Sequence, residues 1–73
     1  MFVQLQGIES SAIAELSVSP INNQALVTYK GGAKYLYNNV EFDALLDVVL
    51  GEFKSIGKFV NAYCKGNESV TVG

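Results

Sequence analysis

Apolar and polar residues alternate along three segments in the first half of the chain, a period typical of β-strands. The alternation predicts antiparallel strands over Ser10–Val18, Gln24–Lys30 and Ala33–Tyr37. In the first strand the period slips, and a β-bulge near Ala14-Glu15 would bring Ile13 and Leu16 to one side of the sheet. Gly31-Gly32 is expected to supply the positive φ angles of a tight hairpin turn.

From Glu41 onward the apolar period changes to about 3.6 residues, which is typical of amphipathic helices. Helices are predicted over Glu41–Leu50 and Ser55–Lys65, the first ending at Gly51. Asn39 is a candidate N-cap of the first helix and Ser55 of the second. The predicted fold is α+β, a three-stranded antiparallel sheet followed by two helices packed on one face (β-β-β-α-α). The expected core is Ile13, Leu16, Val27, Phe42, Leu45, Leu46, Val49, Ile56, Phe59 and Val60.

The two ends of the chain flank one predicted domain, residues 10–65. Residues 1–9 are expected to form an N-terminal arm or a short strand, and residues 66–73 a tail. Within the tail, 69–72 alternates but is too short to be a stable strand alone. It is therefore expected either to be disordered or to join a sheet edge, of its own chain or of a neighbour.

Four motifs stand out along the chain: Ser10-Ser11-Ala12-Ile13, Leu26-Val27-Thr28-Tyr29 with Gly31-Gly32, Tyr35-Leu36-Tyr37, and Ser55-Ile56-Gly57-Lys58-Phe59-Val60-Asn61. In this order and spacing they resemble the KTSC family, a short domain found alone in bacterial and phage proteins and at the C-terminus of some lysyl-tRNA synthetases. The resemblance implies the fold, and it raises RNA binding as a role. The chain departs from the family's pattern at two places: Glu41 stands near the usual proline, and Ala62-Tyr63 where a basic residue is common. The second departure weakens the RNA-binding role.

Composition indicates a subunit interface. The 73 residues are 49% hydrophobic and only 16% charged, whereas about 25% charged residues is typical of soluble domains. So small a chain has too little interior to hide this apolar surface, and exposed apolar patches usually mark contacts. A homo-oligomer is therefore predicted, with a monomer of apolar surface as the alternative.

Charge and cysteine content argue against several classes of protein and of binding site. The net charge of −2 and five lysines without arginine disfavour generic nucleic-acid binding, which needs a basic surface. Cys64 is the single cysteine, so an intramolecular disulfide and a thiolate zinc site are excluded. It is expected to pack as a small hydrophobe, the alternative being a reactive thiol. Without a transmembrane run or a signal-peptide start, a cytoplasmic protein is expected, in a bacterium or a phage-infected host, with no membrane partner.

No catalytic constellation is visible, because the chain has no histidine to act as a general base. A Ser–Lys pair from Ser10 or Ser55 with Lys54 or Lys58 is conceivable, but we expect no enzyme, no metal site and no cofactor. The carboxylates Glu41, Asp43 and Asp47 fit the start of a helix better than an acid–base pair.

The candidate ligand-binding residues are Lys34, Tyr35, Tyr37, Lys54, Ser55, Gly57 and Lys58. A helix N-terminus at Ser55 with Lys54 and Lys58 would attract an anion, and the tyrosines would stack on a base. The alternatives are an ordinary N-cap with Gly57 packed on the first helix, and tyrosines in the core. The predicted function is a non-catalytic, oligomeric module that binds a small anionic or nucleotide-like ligand. A phage protein sequestering an immune signalling nucleotide would be one example. Alternatives are an RNA- or tRNA-binding appendage and a protein–protein interaction module.

Overall fold

A computed structural model describes residues 2–5, 8, 10–52 and 55–72. Within these ranges the chain forms five strands, two α-helices and one π-helix. They are β1 Val3–Gln4, β2 Ile13–Ser19, β3 Gln24–Tyr29, β4 Lys34–Tyr37, α1 Phe42–Val49, α2 Ile56–Phe59, the π-helix Val60–Cys64 and β5 Ser69–Thr71. The α+β class and the antiparallel sheet are confirmed. The predicted number of strands is corrected from three to five, because segments near both chain ends join the sheet.

The described strands form one antiparallel sheet in the order β1-β2-β3-β4-β5. Strands β1 to β4 follow one another as a meander, and β5 returns after the helices to pair with β4. In that last pair Tyr35 lies opposite Thr71 and Tyr37 opposite Ser69. Of the two outcomes expected for the tail, disorder or pairing at a sheet edge, residues 69–71 therefore show the second, because they extend the sheet of their own chain.

The helices cover one face of the sheet, and the core lies between the two layers. The predicted bulge is confirmed, since the register of β2 against β3 shifts between Ile13 and Glu15. As a result Ile13 and Leu16 both face the core and are buried. Val27, Leu45, Phe59 and Val60 are buried as expected, and the core also includes Val18, Ala25, Tyr37, Val40, Ala44, Val48 and Cys64.

Helix α1 presents a different side to the sheet from the predicted one. Ala44, Leu45 and Val48 are buried, whereas Phe42 is 46% exposed and the prediction that it belongs to the core is wrong. Leu46, Val49 and Ile56, also expected in the core, are only half-buried. In α1 the cause is its sequence, Phe-Asp-Ala-Leu-Leu-Asp-Val-Val, which offers two overlapping apolar stripes. The sheet selects the stripe containing the small Ala44, which allows a closer approach.

Local backbone geometry corrects two turn predictions. Of the glycine pair, only Gly32 has a positive φ, +102°. Asn39 has a φ of 57° but is not the N-cap of α1, because Glu41 occupies that position without a side-chain cap. Gly51, with a φ of 77°, follows the end of α1 as predicted. In the described part of the chain, no helix combines the length and the apolar character that crossing a membrane requires.

Candidate functional site

Three tyrosines form a cluster on the helix-covered face of β3 and β4. The rings of Tyr29 and Tyr35 meet edge to face with centroids 5.9 Å apart, and those of Tyr35 and Tyr37 lie 6.2 Å apart. The hydroxyl oxygens of Tyr29 and Tyr37 are 3.0 Å apart and share a hydrogen bond. The cluster joins the two central strands beneath the last helical segment.

Burial separates the roles of these tyrosines. Tyr37 is only 6% exposed, so it is a core residue and not a platform on which a base could stack. Burial, and then the hydrogen bond with Tyr29, hold the pKa of Tyr37 well above its usual value. Its hydroxyl therefore stays protonated at neutral pH, where it serves as a hydrogen-bonding group. Tyr29 and Tyr35 are half-buried.

A shallow groove opens beside this cluster, between the β2–β3 pair and the last helical segment. We call it the interlayer groove, and its volume is about 70 Å³. Its lining residues are Ala12, Ile13, Tyr29, Gly57, Val60, Asn61 and Lys65. The backbone N–H of Lys30 donates to the carbonyl of Ala12 at 2.8 Å, which holds the start of β2 against the β3–β4 hairpin.

The helical wall of the groove contains the π-helix. The N–H of Lys65 donates to the carbonyl of Val60 at 2.9 Å, five residues back instead of four. Asn67 then holds the end of this helix, its side-chain amide donating to the carbonyls of Tyr63 and Asn39. Single π-turns occur frequently at functional sites. Here the π-turn carries Val60, Asn61 and Lys65 along the groove.

Gly57 opens the groove at the other end of this wall. Among the described residues outside its own helix, a Cβ placed on Gly57 would meet only Ser55 Oγ, at 3.7 Å. No described atom of α1 therefore lies within 4 Å of that position. Ser55 is the N-cap as predicted, its Oγ accepting from the N–H of Lys58 at 3.4 Å.

The structure brings some predicted site residues together and separates others. Gly57 lines the groove, and Ser55 and Lys58 flank it at the start of α2. Lys34 lies opposite Thr28 on the sheet face away from the helices, so the sheet separates it from the others. Lys54 lies outside the described residues.

Three groove residues were missed among the candidates: Tyr29, Asn61 and Lys65. Tyr29 and Asn61 both lie within motifs that resemble the KTSC family, so the sequence held a signal for them. Lys65 follows Asn61 by four residues and Gly57 by eight, so a helix over 55–65 already places the three on one face. The motifs meet in three dimensions, since Ala12, Tyr29 and Asn61 belong to three of them and Tyr37 of the fourth is hydrogen-bonded to Tyr29.

The single thiol of the chain is structural. Cys64 is fully buried, and burial raises the pKa of its thiol to about 12. It therefore packs as a small hydrophobe and carries no thiolate at neutral pH. Among the described residues, no cluster of three or more cysteine, aspartate or glutamate side chains could hold a metal ion.

Comparison with known proteins places this arrangement among the KTSC domains by fold. The crystal structure of a KTSC domain protein from Yersinia pestis matches 97% of this chain and 100% of its own, with a TM-score of 0.72 and 23% identity. The chain thus has the KTSC-domain fold that its motifs predict.

A closer sequence relative comes from Tsukamurella paurometabola. This protein is 36% identical over 61 residues, which cover 84% of this chain and 88% of the relative. The chain belongs to the same family as the Tsukamurella protein. No family model matches the chain.

Proposed function

We propose that this protein is a non-catalytic binding module that holds a small anionic group of its ligand, such as a phosphate, in the interlayer groove. The observation that carries the proposal is the chemistry of the groove wall. Its polar side chains are the Lys65 ammonium, the Asn61 amide and the Tyr29 hydroxyl, and each of them can donate a hydrogen bond. Among the residues that the structure describes, no carboxylate lines the groove.

Charge supports an anion as the bound group. Lys65 forms no ion pair within the described part of the chain. Its charge is therefore available to a ligand. The exposed Lys58 follows the groove residue Gly57 in the chain. The backbone N–H groups of Ile56 and Gly57 lie at the start of α2, at the same end of the groove. These groups make the groove end more favourable to an anion than the net charge of −2 suggests.

The size of the groove limits what it can enclose. Its volume of about 70 Å³ is far below the roughly 300–1,000 Å³ of sites that enclose a whole drug-sized ligand. The groove would accept a phosphate-sized group, while the remainder of a nucleotide-like ligand would lie on the surrounding surface. Capture of a small signalling nucleotide, as by a phage protein that blunts host immunity, is a function of this kind.

Binding without turnover follows from the groups that the site lacks. The chain has no histidine. The Cys64 thiol is buried and protonated, and Ser55 Oγ is used as the N-cap acceptor. A ligand in the groove therefore meets donors that can hold it, but no activated nucleophile.

RNA binding is the second function suggested by the KTSC fold, through the synthetases that carry the domain. The distribution of lysines disfavours it, because Lys34 lies on the opposite face of the sheet from the groove and the net charge is negative. Binding to tRNA that weakens steeply with salt would favour RNA over the small ligand.

Calorimetry with inorganic phosphate and with mono-, di- and cyclic nucleotides tests the proposal. We expect at least one of these anions to bind wild-type protein, and Lys65→Gln and Asn61→Ala to lose that binding. Lys34→Gln is the matched control, because it removes the same charge on the other face of the sheet. The proposal fails if none of the anions binds, or if Lys65→Gln and Lys34→Gln weaken binding equally.

Gly57→Ala provides a test of the groove's shape that does not change charge. Outside its own helix, the one described atom that the added methyl group meets within 4 Å is Ser55 Oγ, at 3.7 Å, so the fold should be preserved. The helix should even gain roughly 0.5–1 kcal/mol of stability from the Gly→Ala change. We expect weaker anion binding by a protein that melts at the same or a higher temperature. Unchanged affinity would place the ligand elsewhere.

A further inference from the structure

Strand β5 forms an open edge of the sheet. It pairs with β4 on one side, and the side chains of its three residues are exposed. Val72 donates its N–H to the carbonyl of Lys34, and Asn38 donates to the carbonyl of Glu68. In an antiparallel pair this alternation directs the backbone of residues 68, 70 and 72 toward β4. The N–H and C=O groups of Ser69 and Thr71 therefore point away from the sheet.

Apart from its length of three residues, this edge lacks the usual protection against pairing with another strand in the described part of the chain. Natural edges are blocked by lysine, by proline, by a bulge or by a covering segment. Ser69, Val70 and Thr71 are uncharged, and their register with β4 is regular. The opposite edge of the described sheet, β1, has only two residues and offers much less backbone.

An apolar row crosses the sheet face away from the helices and ends at this edge. Leu26 lies opposite Leu36, and Leu36 lies opposite Val70. We call these three residues the outer apolar row. Val70 is 48% exposed, so the row is uncovered at its end.

We propose that a second copy of this chain pairs with β5, antiparallel, about a two-fold axis that passes beside Val70. Ser69 then lies opposite the partner subunit's Thr71, and the outward backbone groups of both strands satisfy one another. Val70 meets the partner subunit's Val70, so the outer apolar row continues across the interface. The edge is self-complementary in this register, which identifies a second copy as the occupant. The proposal does not depend on a ligand in the interlayer groove.

Light scattering at micromolar concentration tests the assembly. We expect a mass of twice the 7.9 kDa of the chain. Thr71→Pro should give a monomer that remains folded, because the lost N–H points outward and proline is tolerated on an edge strand. Thr71→Ala keeps the N–H and should remain a dimer. A wild-type monomer, or a dimer that survives Thr71→Pro, would overturn the proposal.

Oxidative cross-linking tests the register. In the proposed pair the two Val70 positions are non-hydrogen-bonded neighbours with Cα atoms about 4.5 Å apart, within the roughly 4.4–6.8 Å that a disulfide spans. Val70→Cys should convert to a covalent dimer. Val72→Cys is the matched control, because Val72 is as exposed, at 47%, but lies opposite Glu68 of the partner subunit in this register. Equal cross-linking of the two variants, or none at position 70, would exclude this interface.

Discussion

The hydroxyl oxygens of Tyr29 and Tyr37 lie 3.0 Å apart, joining β3 to β4 by a side-chain hydrogen bond across Tyr35. The two partners differ in burial, since Tyr37 is almost inaccessible and Tyr29 is half-buried beside the interlayer groove. Removing one hydroxyl or the other therefore has different consequences for the group that is left behind.

Tyr29→Phe should destabilise the fold more than Tyr37→Phe. The first change leaves the buried Tyr37 hydroxyl without its partner, which costs about 1–3 kcal/mol. The second leaves the Tyr29 hydroxyl, which can turn to water in the groove, and should cost about 1 kcal/mol or less. Urea unfolding of the two variants and of the double variant measures the difference. The opposite order would show that the Tyr29 hydroxyl is the less hydrated of the two.

Leu45 and Leu46 provide a matched pair for the orientation of α1. Leu45 is fully buried and Leu46 half-buried. Leu45→Ala should cost about 2–5 kcal/mol, which removes much of the stability of so small a domain. Leu46→Ala should cost about 1 kcal/mol, in proportion to the smaller area removed from water. Equal costs in denaturant unfolding would contradict the orientation of the helix.

The free energy of unfolding should fall in alkaline solution, because the Cys64 thiol and the Tyr37 hydroxyl ionise more readily in the unfolded chain. Burial raises the Cys64 pKa from 9.0 to about 12, so between these values the unfolded chain releases a proton that the folded chain retains. The contribution is complete below pH 9 and is lost as pH rises toward 12, and the raised pKa of Tyr37 acts in the same direction.

Cys64→Ala separates this effect from other alkaline transitions. The variant loses packing at neutral pH but has no thiol to ionise, so the stability gap between it and wild type should narrow as pH rises. Unfolding curves at neutral pH and at about pH 11 measure the gap. A gap that stays constant would show that the thiol ionises equally in both states.

Gly32→Ala and Gly31→Ala should differ although the residues are adjacent. Neither added Cβ would meet an atom within 4 Å, so only the backbone distinguishes them. Gly32 has a φ of +102°, where a side chain costs on the order of 1–3 kcal/mol. Gly31→Ala should be neutral or slightly stabilising, because it restricts the unfolded chain. Thermal unfolding of the two single variants decides this, and equal melting temperatures would contradict the turn geometry.

The central sheet and its bulge could be predicted because each strand carries its own alternation and turn residues. The orientation of α1 could not, since two neighbouring stripes are equally apolar and packing against the sheet chooses between them. Residues 3–4 and 69–71 are strand-forming only when a neighbouring strand supplies hydrogen bonds. Their place in the sheet is a tertiary property that a local pattern cannot give.

The candidate site was predictable in part for the same reason. The local sequence around Ser55 and Gly57 predicts the start of a helix, and Ser55 is its N-cap. Lys34 and Tyr35 are adjacent in sequence, yet alternation along β4 places them on opposite faces. Lys65 shares a helical face with Gly57 and Asn61, but only the packing of the last helix shows that this face lines the groove.

The position of β5 also determines the order in which the fold can be completed. Strands β2, β3 and β4 join neighbouring stretches of chain, but two helices separate β4 from β5 in sequence. On a ribosome, the outer edge of β4 must therefore remain unpaired until residues 69–71 have emerged. Pairing between such distant segments is slow because a long loop must close first. The nascent chain thus carries an exposed strand edge until synthesis of β5 is complete, and premature termination before Ser69 would leave that edge open to aggregation.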